Sequence, residues 1–485
     1  MELFLDRIRS AIARHPDRPA FVGRDGGATY RDLRALLGSA MRGLDQAGVK
    51  PGHVVGLSMP QSPVHVIVLV ALARLGAIAL PLPWTSDESE RTAIARTFGA
   101  RGVVSGHERG GVPGLPLVVV KAITARGDED DFDTWPFVPG PETAFRIALT
   151  SGTVGDRKGI DHDHATFSRR LARGSYGTHA EPRMLPPRLH ITAAMQAALH
   201  ALCNGGSIAF PEAYDAMSLL DAAIRLRVTH LLVPPVHATH LVALVAGDRP
   251  VLPSLAQLRL VGSSASPALV AAVRRKLSPN IRLGYSTTET GVIASATPEL
   301  LDAHPGCAGR LAPDATLQVL DENGAVLPPG AAGEFRVRVE GMPSAYHGGA
   351  HADRFRDGWF YPHDRGHVTA DGIVFIEGRT DFVINVGGRK VSPEHVERCL
   401  EEHPGVAEVA VFAMEGEAGV TRTAAAIVRR GSLDWEALSR HAQSRLDVLA
   451  PSRYYEARSL PRNATGKLKR AEFAALAAGP LRHPA

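Results

Sequence analysis

Residues 54–82 constrain the fold more than any other stretch of the chain. Residues 54–59 read as an apolar strand, 64–75 as a helix and 77–82 as a second apolar strand. Two strands joined through a helix form a crossover, and crossovers connect parallel neighbours, so a parallel sheet covered by helices is the expected core. The pattern continues with a helix over 88–98 and a strand over 101–104. Before it, Leu3, Leu5, Ile8 and Ile12 give the first segment an apolar face, and Thr29 caps a helical pattern over 30–44. The acidic run 128–133 and the Pro-containing run 135–141 read as a polar linker.

At 485 residues the chain exceeds one compact core, and two or three domains are expected. Hydrophobic residues make up 45% and charged residues 21%, which excludes a disordered chain. A net charge of only +4, with no long basic block, gives no reason to infer nucleic-acid binding. Cys203, Cys307 and Cys399 are odd in number and far apart, suggesting neither a disulfide framework nor a zinc site. Residues 64–82, the most apolar span, are broken by His65, Arg74 and Gly76, which argues for buried elements over a membrane helix. The first residues lack the pattern of a secretory leader, so a cytoplasmic location follows by elimination.

The run IALTSGTVGDRKG, residues 147–159, reads as a phosphate grip after a strand. Thr150, Ser151 and Thr153 carry hydroxyl donors, Gly152 and Gly155 let backbone N–H groups approach an anion, and Lys158 adds a positive charge. It does not fit GxxxxGK[ST], which excludes a P-loop NTPase. The alternation Asp161-His162-Asp163-His164 reads as an exposed turn with solvated histidines; metal binding is disfavoured because the ligand count is short. His190 precedes a long apolar helix that ends at Gly205-Gly206, and reads as a core histidine. Residues 228–235 form a strand and turn. Residues 258–267 open from a strand into small residues, with Ser266 as N-cap and Pro267 as the first helical residue. LGYSTTETG, residues 283–291, follows a strand over 281–283. From 315 to 340 the period changes to two, giving a hairpin around 321–324 and a separate β subdomain. The last hundred residues read as a helix at 393–402, strands at 407–412 and 421–428, a helix at 435–446 and a strand at 454–457.

Taken together, the run 147–159, LGYSTTETG, the block 357–397 (DGWFYPHDRGHVTADGIVFIEGRTDFVINVGGRKVSPEHVE) and the closing LPRNATGKLKR resemble, in order and spacing, the motifs of the adenylate-forming superfamily. That superfamily includes acyl- and aryl-CoA synthetases, peptide-synthetase adenylation domains and firefly luciferase. The resemblance covers nearly the whole chain. It implies an α/β protein with a large N-terminal domain, residues 1–380, of two helix-covered sheets plus a β subdomain at about 310–375. This is hinged at Asp381 to a small α+β domain, residues 381–485.

The resemblance also implies roles. Thr150, Ser151, Gly152, Thr153, Gly155 and Lys158 hold the ATP phosphates, Tyr285 stacks on adenine, Thr288 reaches the α-phosphate and Glu289 holds Mg²⁺. Asp364 accepts the ribose hydroxyls, Arg379 binds ribose or phosphate, Ser263 lies at the nucleotide, and Gly387 and Gly388 pass the pantetheine arm. His190, Val236, Gly262 and Gly284 border the carboxylate; relatives that activate amino acids usually carry aspartate at the place of His190, which speaks against an α-amino acid here. Lys467, after a Thr-Gly turn, is the catalytic lysine. The implied function is ATP-dependent activation of a carboxylate to acyl-AMP with pyrophosphate release, then transfer to a thiol, CoA first or a phosphopantetheinyl carrier protein as the alternative. Val154, Arg157, Ser286 and the pair Pro362-His363, where Thr-Gly is usual, depart from the pattern and keep open a catalytically inactive nucleotide sensor or scaffold. A luciferase-like oxidase would use the same adenylate. The carboxylate and the oligomeric state stay open.

Overall fold

In the computed structural model, strand Val54–Ser58, helix Pro63–Leu75 and strand Ile78–Pro81 form the expected unit, with the two strands parallel. The described residues are 2–119, 131–150, 158–173, 176, 179, 181–349, 351–386, 389–415, 421–462, 468–473 and 483–484. One six-stranded sheet runs, in spatial order, Leu117–Val119, Gly102–Ser105, Val54–Ser58, Ile78–Pro81, Ala144–Leu149 and Gly159–Asp163. Its last pair is antiparallel and the others are parallel.

A second sheet has a parallel core of Gln257–Leu260, His230–Val233, Arg183–Leu185, Ser207–Ala209 and Pro19–Gly23. Helix Pro63–Leu75 carries apolar side chains on all sides, interrupted by His65 and Arg74, and is buried from His65 to Leu75, its apolar residues in a cluster that includes Val55 and Leu57 of one sheet and Phe21 and Ile208 of the other. A helix without a solvent-facing polar stripe is driven into the interior.

Three expectations are corrected. The β subdomain is not separate: strand Ile281–Thr287 pairs in parallel with Gln257–Leu260 at one end and antiparallel with Gly291–Ala296 at the other, so the sheet continues into it. This strand also runs four residues beyond the expected end at 283. The linker before the phosphate loop is partly built: Asp131–Thr134 is a helical turn, Asp131 accepts from Arg42 at 2.6 Å, and Asp133 accepts from Arg9 and Arg34 at 2.9 and 2.8 Å. The fully buried Arg74 donates to the carbonyls of Phe132, Trp135 and Phe137. A buried guanidinium needs several acceptors, and this segment supplies them.

The histidine alternation is the third correction. Residues 159–163 form a strand whose side chains alternate, so the odd positions 161 and 163 are less buried and His162 faces inward, fully buried. His164 opens helix His164–Ala172, capped by Asp163, and stacks on Phe4 with ring centres 5.0 Å apart. It is a packing residue, the role that the family resemblance implies for a histidine at this position.

His65, His164, His200 and His230 are all buried, and burial, the leading cause in each, pushes their pKa down to about 3, 4, 4 and 4. An unfolded imidazole titrates near 6.5, so below that pH the unfolded chain binds more protons than the native one. Stability present above about pH 6.5 is therefore lost as pH falls towards 4, by up to about 1.4 kcal/mol per pH unit per histidine. Urea unfolding should show midpoints falling steeply from pH 6.5 to 4.5; a flat profile over that window would refute neutral burial.

The C-terminal residues build their own core. Strands Val406–Glu415, Thr421–Arg429 and Arg453–Glu456 pack against helices Pro393–Glu401 and Trp435–Leu446 through Val396, Leu400, Val411, Ile427 and Leu438. Among the described residues, no helix is long and apolar enough to cross a membrane.

Candidate functional site

The strands Ala144–Leu149 and Gly159–Asp163 form the hairpin that carries the phosphate loop, and the Thr150 amide donates to the Lys158 carbonyl at 2.9 Å, closing its base. Ser151, Gly152, Thr153 and Gly155 lie outside the described residues. Lys158 sends its Nζ to 5.3 Å from the centre of the Tyr346 ring. Tyr346 in turn donates to Glu289 Oε1 at 2.6 Å. Burial, then the nearby Arg354, lowers the Lys158 pKa; burial and the Glu289 carboxylate raise that of Tyr346.

Glu289 belongs to the tight turn between strands Ile281–Thr287 and Gly291–Ala296, locked where the Thr290 amide donates to Thr287 Oγ1 at 3.0 Å. Glu289 is only 7% exposed, and among the described residues no hydrogen bond reaches its second carboxylate oxygen. A buried carboxylate with one oxygen fixed and the other open fits a hard cation shared with phosphate oxygens. Thr288 is half-buried beside it.

A second constellation centres on Asp364, which starts strand Asp364–Val368 directly opposite Arg379 of strand Ile373–Arg379. Tyr285 donates its phenol to Asp364 Oδ2 at 2.5 Å, and Arg379 Nη1 lies 3.5 Å from Oδ1. The Tyr285 ring is buried beside Phe335, and burial together with Asp364 holds its pKa well above the usual value. Arg379 also forks onto Asp381 at 2.8 and 2.6 Å, and Arg354 approaches Asp381 at 3.5 Å. Burial alone would raise the Asp381 pKa, but the two arginines outweigh it and hold the carboxyl below its ordinary range.

The departure at Pro362-His363 resolves here. His363 takes φ 61°, the left-handed conformation that glycine adopts freely, and its carbonyl accepts from the Thr380 amide at 2.8 Å. The loop reaches the path a glycine would allow, at some conformational cost.

The remaining candidates sit at the carboxyl ends of parallel strands, where ligands bind in open α/β sheets. Val236 is in the first turn of helix Pro235–Leu244, after strand His230–Val233; Gly262, with φ 94°, and Ser263 follow strand Gln257–Leu260; Gly284 is exposed on strand Ile281–Thr287. His190 is half-buried, and its carbonyl accepts from Arg146 Nη2 at 3.0 Å. A pocket of about 340 Å³, counted with its open mouth, lies next to His190 and Val236 in the chain, walled by Pro187, Ile191, Leu232, Val233 and Pro234 with Arg188, His237 and Tyr214 as its polar lining. Lys467, Gly387 and Gly388 lie outside the described residues.

Sequence reasoning missed Tyr346, Arg354 and Arg146. Nothing flanking Tyr346 marks it, whereas an arginine inside the apolar strand Ala144–Leu149 was a signal that a buried polar network had to exist.

Two sequence profiles match the chain, that of AMP-binding enzymes over residues 8–347 and that of the AMP-binding enzyme C-terminal domain over 395–467. The indoleacetate–CoA ligase of Aromatoleum aromaticum is 29% identical over 82% of this chain and 82% of its own length. A fatty acid–[acyl-carrier-protein] ligase of Streptomyces coeruleorubidus is 28% identical over 97% and 95%. Among solved structures, the o-succinylbenzoate CoA synthetase of Bacillus subtilis in complex with its acyl-adenylate intermediate superposes with a TM-score of 0.87, at 20% identity, over 99% of both chains. With the profile covering most of its length, the chain belongs to the AMP-binding enzyme family and is a ligase of the adenylate-forming superfamily.

Proposed function

We propose that this protein activates a carboxylate with ATP and passes the acyl or aryl group to a thiol, CoA being the first acceptor. The observation that carries the reading is the convergence of Lys158, Tyr346 and the half-open Glu289 carboxylate beside the Asp364–Arg379 pair. Lys158, with the loop 150–157, neutralises the β- and γ-phosphates as pyrophosphate leaves. Glu289 would hold Mg²⁺, which screens the phosphate oxygens during attack. Thr288 donates to the α-phosphate, Asp364 and Arg379 bind the ribose, and Tyr285 lines the adenine side. The substrate is already a carboxylate and attacks without a general base; what it needs is alignment and charge stabilisation at phosphorus. His190, Val236, Gly262 and Gly284 border it, and the apolar wall of the pocket next to His190 and Val236 suits its non-polar part, with Arg188 and His237 in reach of a polar substituent.

Transfer needs a second arrangement. The hinge is proposed at Asp381, with residues 381–485 turning to withdraw Lys467 and bring Gly387-Gly388 to the adenylate. The present orientation is held just before the hinge by Arg398, which donates to the carbonyls of Ile376 and Glu377 at 3.0 and 2.9 Å. The carrier-ligase relative favours a phosphopantetheinyl protein as the second acceptor to test. Pyrophosphate release should be measured over fatty, aryl and amino-acid carboxylates, each without acceptor, with CoA and with a loaded carrier. Release with one carboxylate class, and turnover sustained by one acceptor, is the expected result. If ATP binds but no carboxylate gives release, the catalytic reading falls and the nucleotide sensor stands.

A further inference from the structure

Arg170 is a buried cation that makes no ion pair among the described residues. It lies in helix His164–Ala172 and is 7% exposed. Its Nη1 donates to the Thr288 carbonyl at 2.8 Å and its Nη2 to the Glu289 carbonyl at 2.5 Å, so one guanidinium fork spans both carbonyls of the turn. Nη1 also lies 2.9 Å from Nε2 of the fully buried His162. A guanidinium can only donate, so His162 accepts at Nε2 and carries its proton on Nδ1. Burial and then Arg170 itself keep that imidazole neutral.

Desolvating a cation against neutral acceptors costs stability. A four-residue turn from Thr287 to Thr290 offers its two central carbonyls no partner within itself, and the planar fork satisfies both in a fixed direction. That fixes the backbone from which the Thr288 hydroxyl and the Glu289 carboxylate project. Helix His164–Ala172 follows directly on the strand that leaves the phosphate loop, so the fork also ties the turn to the base of that loop.

We infer that Arg170 is a positioning residue for adenylation: through the two carbonyls it aims Glu289 at the cation and Thr288 at the α-phosphate. This rests on the reading that Glu289 faces Mg²⁺. The test is Arg170→Lys, which keeps the charge but presents a single point donor that cannot span both carbonyls. The half-saturating Mg²⁺ concentration should rise and the adenylation kcat fall, each by about 10–100-fold, as when groups orienting metal ligands are lost, with the carboxylate KM within about two-fold. In the protein without metal or nucleotide, amide exchange over residues 287–291 should speed up by about ten-fold or more, while exchange elsewhere stays as in the wild type. Arg170→Gln, a neutral donor, should behave like the lysine variant or worse.

Wild-type Mg²⁺ dependence and wild-type exchange in Arg170→Lys would overturn the inference. Failure of both variants to fold would also overturn it, by assigning Arg170 to stability. If the wild-type protein itself releases no pyrophosphate, the functional reading fails, and the exchange measurement still judges whether the fork holds the turn.

Discussion

Lys467→Ala is expected to cut adenylate formation by about 10²–10³-fold, the loss seen when one group that stabilises transition-state charge is removed, while sparing thioester formation from supplied acyl-AMP. Attack on the α-phosphate builds negative charge on its oxygens, and a flexible ammonium is suited to meet it. In the proposed second step, transfer to a thiol would happen at the acyl carbon, with that lysine withdrawn by the proposed domain rotation. The two steps should therefore separate. The residues flanking this segment are independently anchored: Arg462 bridges to Leu468 and pairs with Glu408 at 2.7 Å, and Arg470 forks onto Glu397 and reaches Glu394. Truncating one side chain between these anchors should not unseat them. Pyrophosphate exchange and thioester formation from synthetic acyl-AMP measure the two steps; equal loss of both would contradict the assignment.

Asp364→Asn should raise the KM for ATP by about ten- to a hundred-fold, the worth of one or two charge-assisted hydrogen bonds, with a smaller change in kcat. A carboxylate offers about four lone-pair sites. Tyr285 takes one at 2.5 Å and Arg379 approaches a second at 3.5 Å, so a ribose diol would join an acceptor whose charge is already fixed in place by two donors. Asparagine turns one oxygen into a donor: facing Arg379 it meets another donor, and facing Tyr285 it makes that hydroxyl accept and turn its own proton away. The variant thus loses acceptor sites and gains a conflict in one step. Calorimetric titration with ATP is the direct check, and unchanged affinity would remove Asp364 from the ribose site.

Most of the elements were legible because their signals are local. Helix Trp435–Leu446 falls on the expected residues, and Ser266 caps helix Pro267–Lys276 with Pro267 first, as its sequence requires. Motif residues were legible as a set because their chemistry is written in residue type: acceptor-only Asp364, cationic Lys158, a carboxylate at Glu289. Errors came where a distant partner overrides a local pattern. The acidic run before the phosphate loop looks like solvent-exposed linker until Arg9, Arg34, Arg42 and Arg74 claim its carboxylates and carbonyls. His162 looks solvated in a polar run until strand alternation buries it.

The sequence by itself determined the helix-covered sheets, the order of the motifs and the residue types proposed to face a nucleotide, since periodicity and side-chain chemistry are properties of short stretches. Only the tertiary structure decided which of those residues meet. That Tyr346 fixes Glu289, that Arg170 grips the turn beneath it, and that His363 takes a glycine-like backbone to seat Asp364 all depend on contacts spanning 17 to 119 residues, or on a backbone angle that no residue type fixes. Buried polar groups must find partners wherever the fold brings them, and that search runs across the chain rather than along it.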